Sequence, residues 1–361
     1  MKLKIFSDPC FVPDGIGYES IFYPFWGTSP EKLLLPGASY YEVFDRYLLI
    51  GESIFELSSL EEANVVIFPG NLERVFDSKY LNLATELAQK AKAKGKLTVG
   101  FFWGDCSDKQ LPVSCDLVFR NSLYRSSRKP NDFAYPNWTL DFTETYFNGK
   151  VPVREKSAKP VVGFCGFIGN SDLKLYVKQF LYQLRKLIGR GFPPPHYTGH
   201  LLRKKILSIL SQSKLVTTNF KLRDSMGFVG QSPEMYETYR KIYVKNMQKS
   251  DYLLCCRGYG NYSYRFYEIL SCGKIPVFLD TDCVLPYDFE IDWQKYCVWV
   301  KQSELPIIDE KIAEFHARLS PQEFIELQHK CYKIWREKLS PEGFYANLHR
   351  HIPLTQPLLS K

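Results

Sequence analysis

Short apolar runs alternate along the chain with longer stretches in which apolar residues recur at helical spacing. That alternation is the mark of an α/β protein built on parallel sheets. In the first half it predicts strands over 3–6, 65–68, 97–103 and 117–119. A helix over 78–94 lies between two of these, because Leu81, Ala84, Leu87, Ala88 and Ala91 fall on one face and Gly95 stops it. The stretch NGKVPVREKSAKP (148–160) is polar and twice interrupted by proline, and reads as a linker. After it come a strand at 161–169, a helix over 172–188, a triple-proline turn at 193–195 and a helix over 201–211. Further strands are expected at 215–219, 252–256, 275–279 and 298–300, with helices over 234–248 and 263–272. The tail from 309 to 348 is mostly helical, restarting at Ser320-Pro321 and Ser340-Pro341. The organisation expected is therefore a Rossmann-like domain over 1–150 and a second over 151–361 that includes the helical tail. Ligands of such a pair sit in the cleft, at the carboxyl ends of strands.

Composition narrows the class. Apolar residues make up 45% and charged residues 24%, ordinary for a globular protein with an ample core. The 26 Phe and 24 Tyr are less ordinary; most such rings serve as core, while some suit stacking on sugar faces. A net charge of +8 fits phosphorylated substrates or peripheral contact with an anionic membrane face, and is too diffuse to indicate nucleic-acid binding. The Arg203-Lys204-Lys205 triplet reads as a solvated helix face. Ten cysteines without a CxxC spacing indicate neither a zinc ribbon nor a redox motif, and Cys255-Cys256 reads as a buried thiol pair. MKLKIFSD reads as a strand rather than a leader, and no apolar window approaches a membrane span. The expected location is cytoplasmic, at most peripheral to the inner membrane, which makes the sequons at Asn137 and Asn261 chance matches.

The segment DYLLCCRGYGNYSYRFYEILSCGKIPVFL (251–279) carries the chemistry. It reads as buried strand, glycine-containing loop, short helix and second buried strand. Gly258 and Gly260 let backbone N–H groups approach a ligand, and Ser263 is placed to cap the helix. Arg257 at the strand end and Arg265 in the first helical turn then converge with the helix dipole, as a diphosphate requires in the absence of a metal. Glu268, three residues after Arg265, is positioned to accept from ribose hydroxyls. The alternative is plainer: Arg265 and Glu268 as a surface ion pair, and the glycines as a turn.

This segment resembles the exostosin-type glycosyltransferases. Their signature runs R-G-x-G, then S-x-R-x-x-E-x-L, then G-x-I-P-V. The chain supplies Arg257-Gly258-Tyr259-Gly260, Ser263-Tyr264-Arg265-Phe266-Tyr267-Glu268-Ile269-Leu270 and Gly273-Lys274-Ile275-Pro276-Val277. The likeness continues through LPYDFEIDWQKYCVWV (285–300) and is fainter at NWTLDF (137–142) and at the strand beginning at Val161. It implies an inverting transferase of GT-B architecture, with a nucleotide-sugar donor in the second domain and a glycan or lipid-linked glycan acceptor in the first. Arg257 and Arg265 would clamp the diphosphate and Glu268 would contact the nucleoside, with Gly258, Tyr259, Gly260 and Ser263 completing the donor segment. A UDP-sugar is the favoured donor and a GDP-sugar the alternative, with no metal or other cofactor expected. Animal and plant relatives usually carry a membrane anchor before this domain; the expectation here is a soluble enzyme of surface-glycan synthesis.

An inverting displacement needs a general base on the acceptor side. Asp105 after strand 97–103 is the first candidate and Asp8 after strand 3–6 the second, with Asp14 and Asp141 behind them. Asp280-Thr281-Asp282 follows a buried strand, as the metal-binding Asp-x-Asp of single-domain transferases does. Two arginines already neutralise a diphosphate, so the tripeptide reads as a turn lining the donor pocket. Two further readings stay open: a metal-dependent transferase using Asp280 and Asp282, or a catalytically silent glycan- or nucleotide-binding protein on the same fold.

Overall fold

A computed structural model describes residues 2–27, 40–106, 109–168, 173–189, 194, 198–223 and 233–354. The first half forms a six-stranded sheet from β1 (Leu3–Phe6), β2 (Phe55–Leu57), β3 (Val65–Ile67), β4 (Leu97–Phe102), β5 (Leu117–Arg120) and β6 (Asp132–Ala134). Its spatial order is β2-β1-β3-β4-β5-β6, parallel throughout. Around it lie α1 (Tyr23–Trp26), α2 (Tyr40–Ile54), α3 (Ser78–Ala93) and α4 (Phe142–Phe147). Parallel strands need both faces covered, and alternate side chains divide accordingly. Val66, Phe68 and Phe102 meet Tyr80, Ala84, Leu87 and Ala91 of α3. Ile67, Val99, Phe101 and Phe119 point the other way, into a core shared with Phe44 and Tyr47 of α2. At Gly100 a Cβ would lie 2.2 Å from a methyl of Leu72, so only glycine lets the turn after β3 close down on β4.

The second sheet contains β7 (Val161–Phe167), β8 (Thr217–Arg223), β9 (Tyr252–Cys255), β10 (Ile275–Asp280) and β11 (Val298–Lys301), ordered β11-β10-β9-β7-β8 and again parallel. Its helices are α5 (Leu173–Leu187), α6 (Thr198–Gln212), α7 (Pro233–Gln248), α8 (Tyr264–Ser271), α9 (Ile308–Arg318) and α10 (Pro321–Ile334), and α11 (Pro341–Ala346) follows them in the chain. Loops at the carboxyl ends of the two sheets touch, which gives the expected GT-B arrangement of two Rossmann-like units across a cleft. No helix among the described residues is long and apolar enough to cross a membrane. The triple-proline turn falls largely outside the described residues.

The strand before the linker ends at Ala134 and the next begins at Val161. Between them residues 151–160 are strapped to the second unit. Lys274 donates to the Pro152 carbonyl, Arg154 pairs with Asp251 at 2.7 Å, and His316 Nε2 meets the Ser157 carbonyl at 2.7 Å. Burial drops the Lys274 pKa to about 8, and the Pro152 carbonyl offsets part of the lost hydration. The tail, grouped by sequence with the second domain, crosses back. Ser320 and Ser340 cap α10 and α11 as their Ser-Pro pairs predict. A π-turn at Trp335–Leu339 then delivers α11 to the first sheet. There Phe344 packs edge-on to Phe119, and the Tyr345 hydroxyl lies 2.6 Å from Ser20 Oγ and 2.8 Å from the Tyr135 hydroxyl.

Strands and helices predicted by periodicity appear within a few residues of their expected limits; α1, α2, α4, β2 and β6 do not follow from the sequence. In α2 the helical reading is spoiled by Gly51, yet a Cβ there would sit 2.3 Å from Pro24 Cγ. The glycine is spent on seating α1, a tertiary demand that overrides helix propensity. Tyr345→Ala should lower unfolding free energy by about 3–5 kcal/mol, the usual range for removing a large buried ring. A urea titration would register this as an earlier midpoint of the first unit, although the residue lies beyond the second in sequence.

Candidate functional site

Strand β9 carries the chain to Cys256 and Arg257 at the carboxyl edge of the second sheet. Arg257 is buried, donating to the Tyr124 hydroxyl of the first unit and, at 2.9 Å, to the Tyr259 carbonyl. Its Nε has no hydrogen-bond partner, and no carboxylate pairs with it among the described residues. Neither Gly258 nor Gly260 adopts a positive φ. Gly260 is needed for approach, because a Cβ would lie 2.8 Å from Asp105 Oδ1. Gly199 at the start of α6 has the same role, its Cβ position falling 2.5 Å from the Gly258 carbonyl. Arg257, Tyr124 and Thr198 line a cavity of about 500 Å³ that also reaches Asp280, Thr281 and Asp282.

Arg265 occupies a neighbouring position at the end of β7. Ser263 has the extended backbone of an N-cap but makes no side-chain cap bond. From the first turn of α8, Arg265 donates to the Cys165 carbonyl at 2.8 Å and lies 4.3 Å from the Phe164 ring. Arg203 approaches the same ring at 5.8 Å and donates to the Phe167 carbonyl at 2.7 Å. This corrects the sequence reading of 203–205 as a solvated face: Arg203 turns inward. Burial lowers its pKa, and the Arg265 charge adds to that. His200, one turn earlier on α6, stands edge-on to both Phe167 and Tyr259, and burial followed by the Arg203 charge lowers its pKa. Glu268 is held within its own unit, accepting from the Tyr243 hydroxyl at 2.6 Å and pairing with Arg240 at 3.4 Å. The surface pair with Arg265 that sequence spacing allows is not formed. The predicted donor residues thus form two adjacent groups, Arg257 with Tyr259 and Arg265 with Glu268, and α6 lies between them.

Asp280 and Asp282 are engaged from across the cleft. Arg125 reaches Asp280 at 3.2 Å, while the Ser126 N–H donates to Asp282 at 3.1 Å. The main chain joins in: Tyr124 bridges Cys283, and the Arg125 N–H donates to the Asp282 carbonyl at 2.9 Å. Among the described residues no three carboxylate, His or Cys groups gather as a metal site. The Asp-x-Asp tripeptide is a fastener between the units.

Asp105 spans the cleft in the opposite direction, accepting from the Gly260 N–H at 3.0 Å. It stands at a second cavity of about 520 Å³, walled by Trp103, Tyr135 and Trp138 on one side and by Tyr259, Tyr262 and Tyr264 on the other. Asp8 is not at this cavity: its carboxylate caps the 3-10 turn Pro9–Phe11 through the Cys10 N–H, a contact that lowers its pKa. Asp141 caps α4 and bonds Tyr332 at 3.0 Å, and Asp14 is exposed. Asn137 and Asn261 are buried, so neither sequon presents its amide to solvent.

Behind the cavity wall lies a group that sequence patterns did not reveal. Glu19 is 1% exposed and accepts from Tyr135 at 3.0 Å and from Trp103 Nε1 at 3.1 Å. Burial raises its pKa to about 8, well above the ordinary glutamate value of 4.5. The folded protein therefore keeps this proton while the unfolded chain releases it above pH 4.5, so stability declines as pH rises from 4.5 to 8. The slope from this one group is at most about 1.4 kcal/mol per pH unit. Glu19→Gln, which keeps an acceptor for both partners, should flatten the fall in melting temperature between pH 5 and 8; an unchanged profile would show that Glu19 is ionised in the fold.

Residues 196–313 match the family model of the Exostosin GT47 domain. A probable glucuronosyltransferase 47 A of Physcomitrium patens is 37% identical over 67 residues, 19% of this chain and 15% of its own length. A probable beta-1,4-xylosyltransferase, IRX10 of Arabidopsis thaliana, is 34% identical over 67 residues, 19% of this chain and 16% of its own. The chain thus spans about a sixth of the length of these curated relatives. The solved structure of TarM overlays 81% of this chain and 54% of its own, with 12% identity and a TM-score of 0.39. The span that matches the Exostosin GT47 family model, 196–313, lies within the second unit and contains both the Arg257–Gly260 loop and the Ser263–Leu270 segment.

Proposed function

We propose that the protein is an inverting glycosyltransferase that takes a sugar from a nucleotide diphosphate and passes it to a glycan hydroxyl. One observation carries this reading. Arg203, Arg257 and Arg265 gather at the carboxyl edge of the second sheet, and none forms an ion pair with a carboxylate among the described residues. Cations held in partial burial without a carboxylate at pairing distance favour an anionic ligand. The starts of α6 and α8 lie beside them and add their positive ends. A leaving nucleoside diphosphate gains charge as the anomeric bond breaks, and fixed guanidinium groups stabilise that charge without reorganisation.

The facing cavity supports the acceptor half of the proposal. Its two sets of rings offer stacking surfaces for a sugar, and Tyr259 of the arginine loop forms part of the wall. We propose no metal, because Asp280 and Asp282 are already bonded to Arg125 and Ser126. The relatives' names make glucuronosyl and xylosyl UDP-sugars the first donors to test, with GDP-sugars as the alternative and a surface polysaccharide as the product class.

Thermal stabilisation by UDP or GDP, unaffected by EDTA, is expected. Arg265→Ala should weaken that nucleotide by about 1.5–3 kcal/mol, the range of a charge-assisted bond. Undiminished affinity would remove Arg265 from the clamp. EDTA sensitivity would restore Asp280 and Asp282 as metal ligands, and tight binding with no release of nucleoside diphosphate from any sugar conjugate would identify a silent binding protein.

A further inference from the structure

We infer that Glu73 is the general base of the reaction, taking the proton of the acceptor hydroxyl inside the 520 Å³ cavity, while Asp105 positions the donor loop. This rests on the transferase reading above. Asn71 places Glu73: its Oδ1 accepts from the Glu73 N–H and from the Trp103 N–H, both at 2.9 Å, so the turn after β3 is fixed to the end of β4. Glu73 then lines the cavity half-buried, packed so closely on Gly104 that a Cβ there would fall 2.5 Å from its Oε1. No hydrogen bond or ion pair reaches its carboxylate among the described residues. Asp105 differs, since its Oδ1 already accepts from the Gly260 N–H. Asp105 is tied through Oδ1 to the donor loop, whereas the whole Glu73 carboxylate is free to take a proton, and that difference favours Glu73 as the base.

Trp138 also lines the cavity; it is 4% exposed, and its buried Nε1 has no hydrogen-bond partner. In the step itself the acceptor O–H proton passes to Glu73 as the acceptor oxygen bonds the anomeric carbon. The bond from that carbon to the diphosphate oxygen breaks, and the electron pair leaves with the nucleoside diphosphate. Protonated Glu73 returns its proton to water. Burial raises the Glu73 pKa, Lys109 and Arg74 oppose this, and Asp105 adds to it; Tyr262 faces the group from the donor loop. The base is therefore protonated, and inactive, at a higher pH than an exposed glutamate would be.

The test uses donor hydrolysis, in which water replaces the acceptor, followed as UDP released from UDP-glucuronic acid and UDP-xylose and GDP released from a GDP-sugar. Glu73→Gln should lower turnover by roughly 10²–10⁴-fold, retain thermal stabilisation by the free nucleotide, and lose the acid limb of the pH–rate profile. Glu73→Asp should keep the limb at reduced rate, which guards against a variant that misfolds. Asp105→Asn should be slower yet keep the limb. Wild-type turnover in Glu73→Gln, or loss of the limb in Asp105→Asn instead, would overturn the assignment alone. A wild-type protein that releases nothing from any of these donors would overturn the transferase reading and this one with it.

Discussion

The site depends on one short strip of backbone after β5. Residues 122–126 leave the first sheet and run along the carboxyl edge of the second. Ser122 accepts from the Asn261 N–H at 2.8 Å, Asn261 Nδ2 donates to the Leu123 carbonyl, and Tyr124 to Ser126 pair with the turn after β10. These are mainly bonds between backbone and buried polar groups, so they fix register as well as distance. They set how far Arg257 stands from the first unit and keep Tyr124 over it. Both cavities are what remains open on either side of this strip.

The charges around it are held without paired carboxylates. Arg203 and Arg265 approach one aromatic ring and each donates to a β7 carbonyl, an arrangement that satisfies hydrogen bonds without an ion pair. Structural ion pairs in the same protein look different. Arg120 and Asp132 are buried together at 3.1 Å, and Arg154 meets a fully buried Asp251. The contrast separates cations that serve the fold from cations held ready for a ligand.

Much of this was legible from residues alone, and the reasons are physical. Parallel strands buried on both faces write themselves as apolar runs, and Ser-Pro pairs announce new helices, so the two sheets and the tail breaks could be read directly. The arginine loop could be read because glycine, arginine and serine stand at fixed offsets. What could not be read were facts about distant partners. Nothing at 203–205 distinguishes an inward arginine from a solvated lysine face; the difference is the Phe167 carbonyl waiting across α6. Glu268 sits at ribose-binding spacing, yet Tyr243 and Arg240 reach it from another helix. Glu19 lies in a loop, and the rings that enclose it come from beyond β4 and β6, as Trp103 and Tyr135, with Tyr345 closing on Tyr135 from the far end of the chain. Asp8 and Asp105 both follow strands, and their separate fates were set by which loop lay opposite.

The chain passes between the two units twice, once after α4 and again at the π-turn before α11. At the first passage Asn148 and Gly149 both take left-handed backbone, with φ of 51° and 74°, and the strapped segment beyond them belongs to the second unit. At the second, Leu339 is buried and α11 is locked among the tyrosines of the first. Two fixed points define a line, as two pins do for a door. Once the cross-cleft bonds of Asp105, residues 122–126, Asp280 and Asp282 open, swinging about the line that joins the passages is the motion this connectivity leaves.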